Sequence, residues 1–210
     1  MMKKNIRKFL LLCLSFTLLL FVSCTGDAKI TLKENGSVAF SFRGTLGEAF
    51  QDMMTGSGSD LSSIDEQGIA KALFQCGFES IDVRCDSINN IIKINFEDKD
   101  HDSYLFSEDI INIVDDEIEF SLTSNQFLSL YEKSGEDITM LLDLFLSPVL
   151  NDEVMSEEEY IETINVTYGE EAGKELRTSN VNFIITDKNG KSKNKSVYAT
   201  SIFCGVPLKL

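Results

Sequence analysis

The apolar positions along the chain change period several times, and each change marks an element. Ile30 and Leu32 alternate with Lys29, Thr31 and Lys33, and Val38, Phe40 and Phe42 alternate with Ala39, Ser41 and Arg43. A period of two belongs to a strand with one face buried. Asn35-Gly36 lies between the two runs and supplies the positive φ angles of a tight hairpin. The polar face of this hairpin carries Lys29, Lys33 and Arg43. Leu46, Ala49, Phe50 and Met53 switch to helical spacing, which predicts a helix over 46–54. Thr55-Gly56-Ser57-Gly58-Ser59 then predicts a loop. Ile69, Leu73 and Cys76 mark a second helix over 65–76, stopped by Gly77.

Strands over 79–85 and 91–96 follow, joined by a turn through Asp86-Ser87-Ile88-Asn89-Asn90. Residues 97–104 are polar and charged, 110–114 fit either a strand or a short helix, and Ile118, Phe120 and Leu122 alternate as a strand. Helices are expected over 124–132 and 137–146, the second with Ile138, Leu141, Leu142 and Phe145 on one face. Ser156-Glu157-Glu158-Glu159 has the form of a capping box. It opens a helix with Tyr160, Ile161, Ile164 and Tyr168 inward, and another helix is expected over 170–177. Val181, Phe183 and Ile185 alternate, Asn189-Gly190 forms a second hairpin turn, and 196–203 returns as a strand. Strands and helices come in runs, which points to an α+β fold: an antiparallel sheet built from hairpins with helices packed on one side. Hairpins at both ends leave two diverged copies of one unit open, with no residue-level repeat to establish them.

The first residues follow a different rule. Lys3, Lys4, Arg7 and Lys8 precede an apolar run of fourteen residues from Phe9 to Val22, with no polar face. A spanning helix needs about 20 residues and a secretory signal core about 7–15, so the run reads as a signal peptide. Val22-Ser23-Cys24 resembles the lipobox of bacterial lipoproteins, with Phe21 where Leu is usual, as in the relaxed lipoboxes of spirochaetes. The resemblance implies cleavage before Cys24 and two or three acyl chains, palmitate among them, on that cysteine. Stable attachment needs more than one chain, at about 0.8 kcal/mol per buried methylene. Ordinary secretion, with Cys24 a plain thiol, is the competing reading. The expected organisation is a signal peptide over 1–23, a lipidated cysteine and short tether over 24–27, and one acidic domain over 28–210. At about 3.3–3.6 Å per residue such a tether holds the domain close over the membrane. The hairpin, its Asn-Gly turn and the following helix behind a lipidated cysteine are similar to LppM-like envelope lipoproteins.

Charge narrows the partners. The chain has a formal net charge of −15. Residues 1–23 carry four of the nineteen basic residues and none of the thirty-four acids, which leaves the remainder at −19. Such a body is repelled by phosphate, which excludes nucleic acid as a partner class. Membrane attachment therefore falls to the anchor.

Candidate chemistry is sparse. Asp98, Asp100 and Asp102 match positions 1, 3 and 5 of a calcium loop, and Asp109 matches position 12. Hard cations take clustered carboxylate oxygens. Against calcium, Ser103 stands where the loop needs glycine, and the preceding run reads as a strand. A solvated turn is the other reading. His101 is the sole histidine, so zinc has no second imidazole, and there is no G-x-S-x-G motif or phosphate-cradling glycine loop. Cys76 and Cys85 lie near enough in sequence for a disulfide, although their spacing also fits two core positions.

The expectation is a non-enzymatic envelope lipoprotein, held by a covalent lipid on Cys24 and needing no other cofactor. It binds an unidentified protein, polymer or lipid. The alternative is a periplasmic carrier or chaperone for a lipid or small apolar ligand, with an enzyme third. The anchoring membrane, inner or outer, and the periplasmic or surface side are left open.

Overall fold

The structure, a computed structural model, describes residues 23–49, 51–52, 65–75, 77–126 and 155–210. Its spine is a six-stranded sheet in the order β3-β4-β2-β1-β7-β8. The strands are β1 (Ser23–Leu32), β2 (Val38–Leu46), β3 (Glu79–Asp86), β4 (Ile91–Asp98), β7 (Asn180–Thr186) and β8 (Ser192–Tyr198). Three hairpins, β1–β2, β3–β4 and β7–β8, build it. They join edge to edge: β2 pairs antiparallel with β4, whereas β1 pairs parallel with β7, from Thr25↔Asn180 to Thr31↔Thr186. The sheet is therefore mixed, with one parallel pair at the junction of the N-terminal and C-terminal hairpins.

Alternation decides which face is buried. Ile30, Leu32, Val38, Phe40, Phe42, Ile92, Ile94, Phe96, Val181, Phe183 and Ile185 are all buried on one side. Phe40 stacks on Phe96 at 4.8 Å, and Phe78 lies 4.5 Å from Phe96. Such ring pairs add about 0.5–1.5 kcal/mol each beyond their buried area. Onto this face pack α1 (Glu66–Gln75), α3 (Glu157–Tyr168), α4 (Glu170–Thr178) and α5 (Ala199–Phe203). A three-stranded sheet in the order β5-β6-β9 joins them: β5 (Ile111–Val114), β6 (Glu117–Leu122) and β9 (Leu208–Lys209). Phe120 of β6 stacks on Phe183 of β7 at 5.4 Å. The short α2 (Tyr104–Ser107) lies between β4 and β5. This is an α+β fold.

Local chemistry explains the element ends. Both Asn-Gly turns are three-residue loops in which only the glycine takes positive φ: Gly36 at 88° and Gly190 at 78°. Gly36 N–H donates to the Lys33 carbonyl, and Gly190 N–H donates to that of Asp187. Each is a type I turn followed by a glycine bulge. The capping box at Ser156 is complete: its hydroxyl accepts from Glu159 N–H, and the Glu159 carboxylate accepts from Ser156 N–H. Residues 48, 49, 51 and 52 are helical, but Leu46 belongs to β2. The return strand stops at Tyr198, and 199–203 form α5 instead. The expected loop at 55–59 and helix at 137–146 lie outside the described residues, as does most of the helix expected over 124–132.

The region expected to be a charged loop after β4 is the largest local departure. Glu97 and Asp98 still belong to the strand and are buried, Asp98 to 1% exposure. Each has a polar partner, which makes the burial affordable.

Candidate functional site

Once one face of the sheet is filled, the odd positions of β1, β2 and β4 project to the other. Register then lines up rows across the strands. Nearest the Ser23 end, Thr25 stands opposite Thr45, and Thr45 opposite Ile91. In the next row Arg84 stands opposite Lys93, Lys93 opposite Arg43, and Arg43 opposite Asp27. In the third, Lys29 stands opposite Ser41 and Ser41 opposite Asn95. Lys29, Lys33, Arg43, Arg84 and Lys93 are all exposed.

These five cations divide into two groups. Lys33 pairs with Glu97 at 2.7 Å, and Arg84 pairs with Asp82 at 3.0 Å. Lys29, Arg43 and Lys93 make no ion pair among the described residues. Asp27 is across from Arg43 but accepts from the Asn182 amide at 3.1 Å. Like charges directly opposite one another weaken a sheet. Arg43 beside Lys93 is therefore a local cost in a chain of net charge −15. An anion above the row removes that cost.

Beside the row lies a shallow open depression of about 260 Å³, lined by Lys29, Thr31, Lys33, Ala39, Phe40, Ser41, Ser80, Asn95, Phe96 and Glu97. Ser80 reaches it from a bulge in β3, where the register shifts between Glu79 and Asp82 and Ser80 takes φ of 52°. At its floor the Glu97 carboxylate accepts from Lys33 and from the Ser37 hydroxyl. Hydrogen bonds from Lys33 and Ser37 hold the Glu97 carboxyl below its usual range. The lining sets two lysines and the Glu97 carboxylate beside apolar surface from Ala39, Phe40 and Phe96.

The residues singled out by sequence fall as follows. Cys24 lies at the start of β1, where the pairing with β2 shifts register between Ser23 and Thr25. Of the segment 1–23 expected as a signal peptide, residues 1–22 lie outside the described residues. Residues 25–27, expected as a free tether, are paired in β1 with β2 on one side and β7 on the other.

Asp98, Asp100, Asp102 and Asp109 are not brought together as a calcium loop. Among the described residues no group of three or more His, Cys, Asp or Glu side chains is placed to hold a metal ion. Asp98 instead closes the turn after β4, accepting from His101 N–H at 2.7 Å and Ser103 N–H at 3.1 Å. Asp100 and Asp102 are exposed. His101, at φ of 59°, places Nε2 2.9 Å from the Gly36 carbonyl and stacks on Phe106 at 4.5 Å. It braces the β1–β2 turn against α2.

Cys85 carries a free, half-buried thiol, and Cys76 lies outside the described residues. Burial first, then the Glu66 charge, pushes the Cys85 thiol up to about 11. Burial, with Glu157 and Glu158, does the same for Cys204. At neutral pH both are protonated, unlike thiolate nucleophiles. The Glu157 carboxylate accepts from the Thr200 hydroxyl at 2.5 Å and that of Ser201 at 2.8 Å, tying α3 to α5.

Sequence reasoning found Lys29, Lys33 and Arg43 but missed Lys93 and Arg84. Alternation with Ile92 and Ile94, and with Val83 and Cys85, places those two on polar faces. What pattern alone lacks is the pairing that sets them beside Arg43. No helix among the described residues is long and apolar enough to cross a membrane. No family model matches the chain, and no curated protein or solved structure matches it.

Proposed function

We propose that the protein is a lipid-anchored envelope lipoprotein that works as a binding module. One observation carries the reading: a basic start, an apolar run too short to span, and Val22-Ser23-Cys24 come in that order, and Ser23 and Cys24 open a strand that is paired on both sides from Thr25. Acyl chains on Cys24 hold the domain at a membrane of the envelope, with no free linker between anchor and sheet. The face with exposed Lys29, Arg43 and Lys93 offers the binding surface. These three cations, which make no ion pair among the described residues, favour an anionic partner over the cargo of an apolar carrier.

Fractionation tests the anchor. The wild-type chain is expected in the detergent phase of a phase-separating extraction and in the membrane pellet, and Cys24→Ala in neither. A Cys24→Ala protein that stays in the membrane unchanged refutes the reading. Protease shaving of intact against lysed cells assigns the side. Cutting in intact cells gives the surface, and cutting only after lysis gives the periplasm.

A further inference from the structure

We infer that the Ser23 end of the six-stranded sheet seats directly on an anionic phospholipid bilayer, with Ile88 and Tyr198 entering the interface and Arg43 and Lys93 on lipid phosphates. This rests on the lipid anchor at Cys24. Three independent features converge on that end. The preceding twenty-two residues join β1 there, because Ser23 opens the strand. The β3–β4 turn lies at the same end, since Thr25 is opposite Thr45 and Thr45 opposite Ile91. That turn lifts Ile88 to 91% exposure, the most exposed large apolar residue described. The last residue of β8 lies there too: Thr25 pairs with Asn180, and Asn180 with Tyr198, which is 57% exposed.

The spacing suits a flat target. Strands lie about 4.8 Å apart, so Ile88 and Tyr198 flank β1 at a separation of roughly 20 Å. The cationic row begins only two residues inward, about 7 Å from Thr25 along the strand. An apolar tip and a tyrosine at the boundary with cations just behind match the layering of a bilayer interface. Two acids lie by these cations: Asp27 stands opposite Arg43 and accepts from the Asn182 amide, and Asp86, its carboxyl held below its usual range by hydrogen bonds from Asn89 and Ile88, also feels the Lys93 charge. Both charges oppose seating. Lys29, Arg43 and Lys93, which make no ion pair among the described residues, outnumber them.

The chain has no tryptophan, so one substitution makes a depth probe. Full-length lipidated protein carrying Ile88→Trp, Tyr198→Trp or Val114→Trp is reconstituted into vesicles. The vesicles contain phosphatidylcholine brominated on the acyl chains, with or without phosphatidylglycerol. Val114 is 49% exposed and lies beside Asp116, which pairs with Lys188 at the far end of β7. Trp at 88 and 198 is expected to be quenched and Trp at 114 to be spared. Arg43→Gln and Lys93→Gln are each expected to lower the seated-to-lifted ratio about five-fold with phosphatidylglycerol present and to leave it unchanged without it. Protein that floats with the vesicles but shows equal quenching at 88 and 114 overturns the seat and leaves the anchor standing. Protein that does not float overturns both.

Discussion

Asp98→Ala removes a buried carboxylate on which a turn depends. The side chain is 1% exposed and accepts two backbone N–H groups, His101 at 2.7 Å and Ser103 at 3.1 Å. Hydrogen bonds to a charged group contribute about 1.5–3 kcal/mol each, and a buried donor left without a partner costs about 1–3 kcal/mol. Loss of both bonds therefore costs about 3–5 kcal/mol. At about 2–4 °C per kcal/mol for a chain of this size, Tm falls by roughly 6–20 °C. Asp98→Asn keeps one acceptor oxygen and sets an amide donor against the other N–H, for about 1–3 kcal/mol. Asp100→Ala and Asp102→Ala, at exposed positions, stay within about 0.5 kcal/mol. Thermal unfolding of the four variants, with calcium and with chelator, checks the set. A neutral Asp98→Ala refutes the turn role. A calcium-dependent rise in Tm that Asp98→Ala, Asp100→Ala and Asp102→Ala each abolish restores the ion-binding reading.

Gly173 is buried in α4, and a Cβ there meets Asn165 Oδ1 at 1.9 Å. Ala in an unobstructed helix gains about 0.5–1 kcal/mol over Gly, so the expected loss of about 1–3 kcal/mol in Gly173→Ala reverses the sign. Asn165→Ala in the same chain should recover most of it by urea unfolding; additive effects contradict the contact. Glu97 has its carboxyl lowered by Lys33 and Ser37 from an ordinary 4.5. A lowered folded-state value gives stability that is present above the unfolded value and lost as pH falls through the folded one. Acid titration of Tm should therefore show a limb below about pH 4.5 that Glu97→Gln flattens, and an unchanged limb rules this contribution out. Cys85, pushed up to about 11, should alkylate slowly at neutral pH and faster through pH 10–12. Glu66→Gln should shift that rise to lower pH, read by peptide mass spectrometry, and fast labelling at pH 7 contradicts it.

How far the sequence reached depended on whether a feature was local. The hairpins at Asn35-Gly36 and Asn189-Gly190 were legible because turn chemistry and alternation agree within a dozen residues. The capping box at Ser156 was legible for the same reason. Pairing between distant segments was not. Nothing near Thr25 marks Asn180 as its parallel neighbour, and nothing near Arg43 marks Lys93. The cationic row of the candidate site is a product of register, so only its hairpin half was visible. Asp98 was ambiguous because spaced carboxylates look alike whether they hold an ion or cap backbone N–H groups. Its N–H partners become visible only in the folded turn, and a charged run gives no sign that its first members extend a core strand.

The proposed attachment of this sheet to a membrane through acyl chains on Cys24 is tested most directly by mass spectrometry of the mature N-terminal peptide from protein purified out of the membrane. A chain beginning at Cys24, with a diacylglycerol thioether on its sulfur, is expected. A mature chain with an unmodified Cys24 thiol, or one still carrying Met1–Ser23, contradicts it.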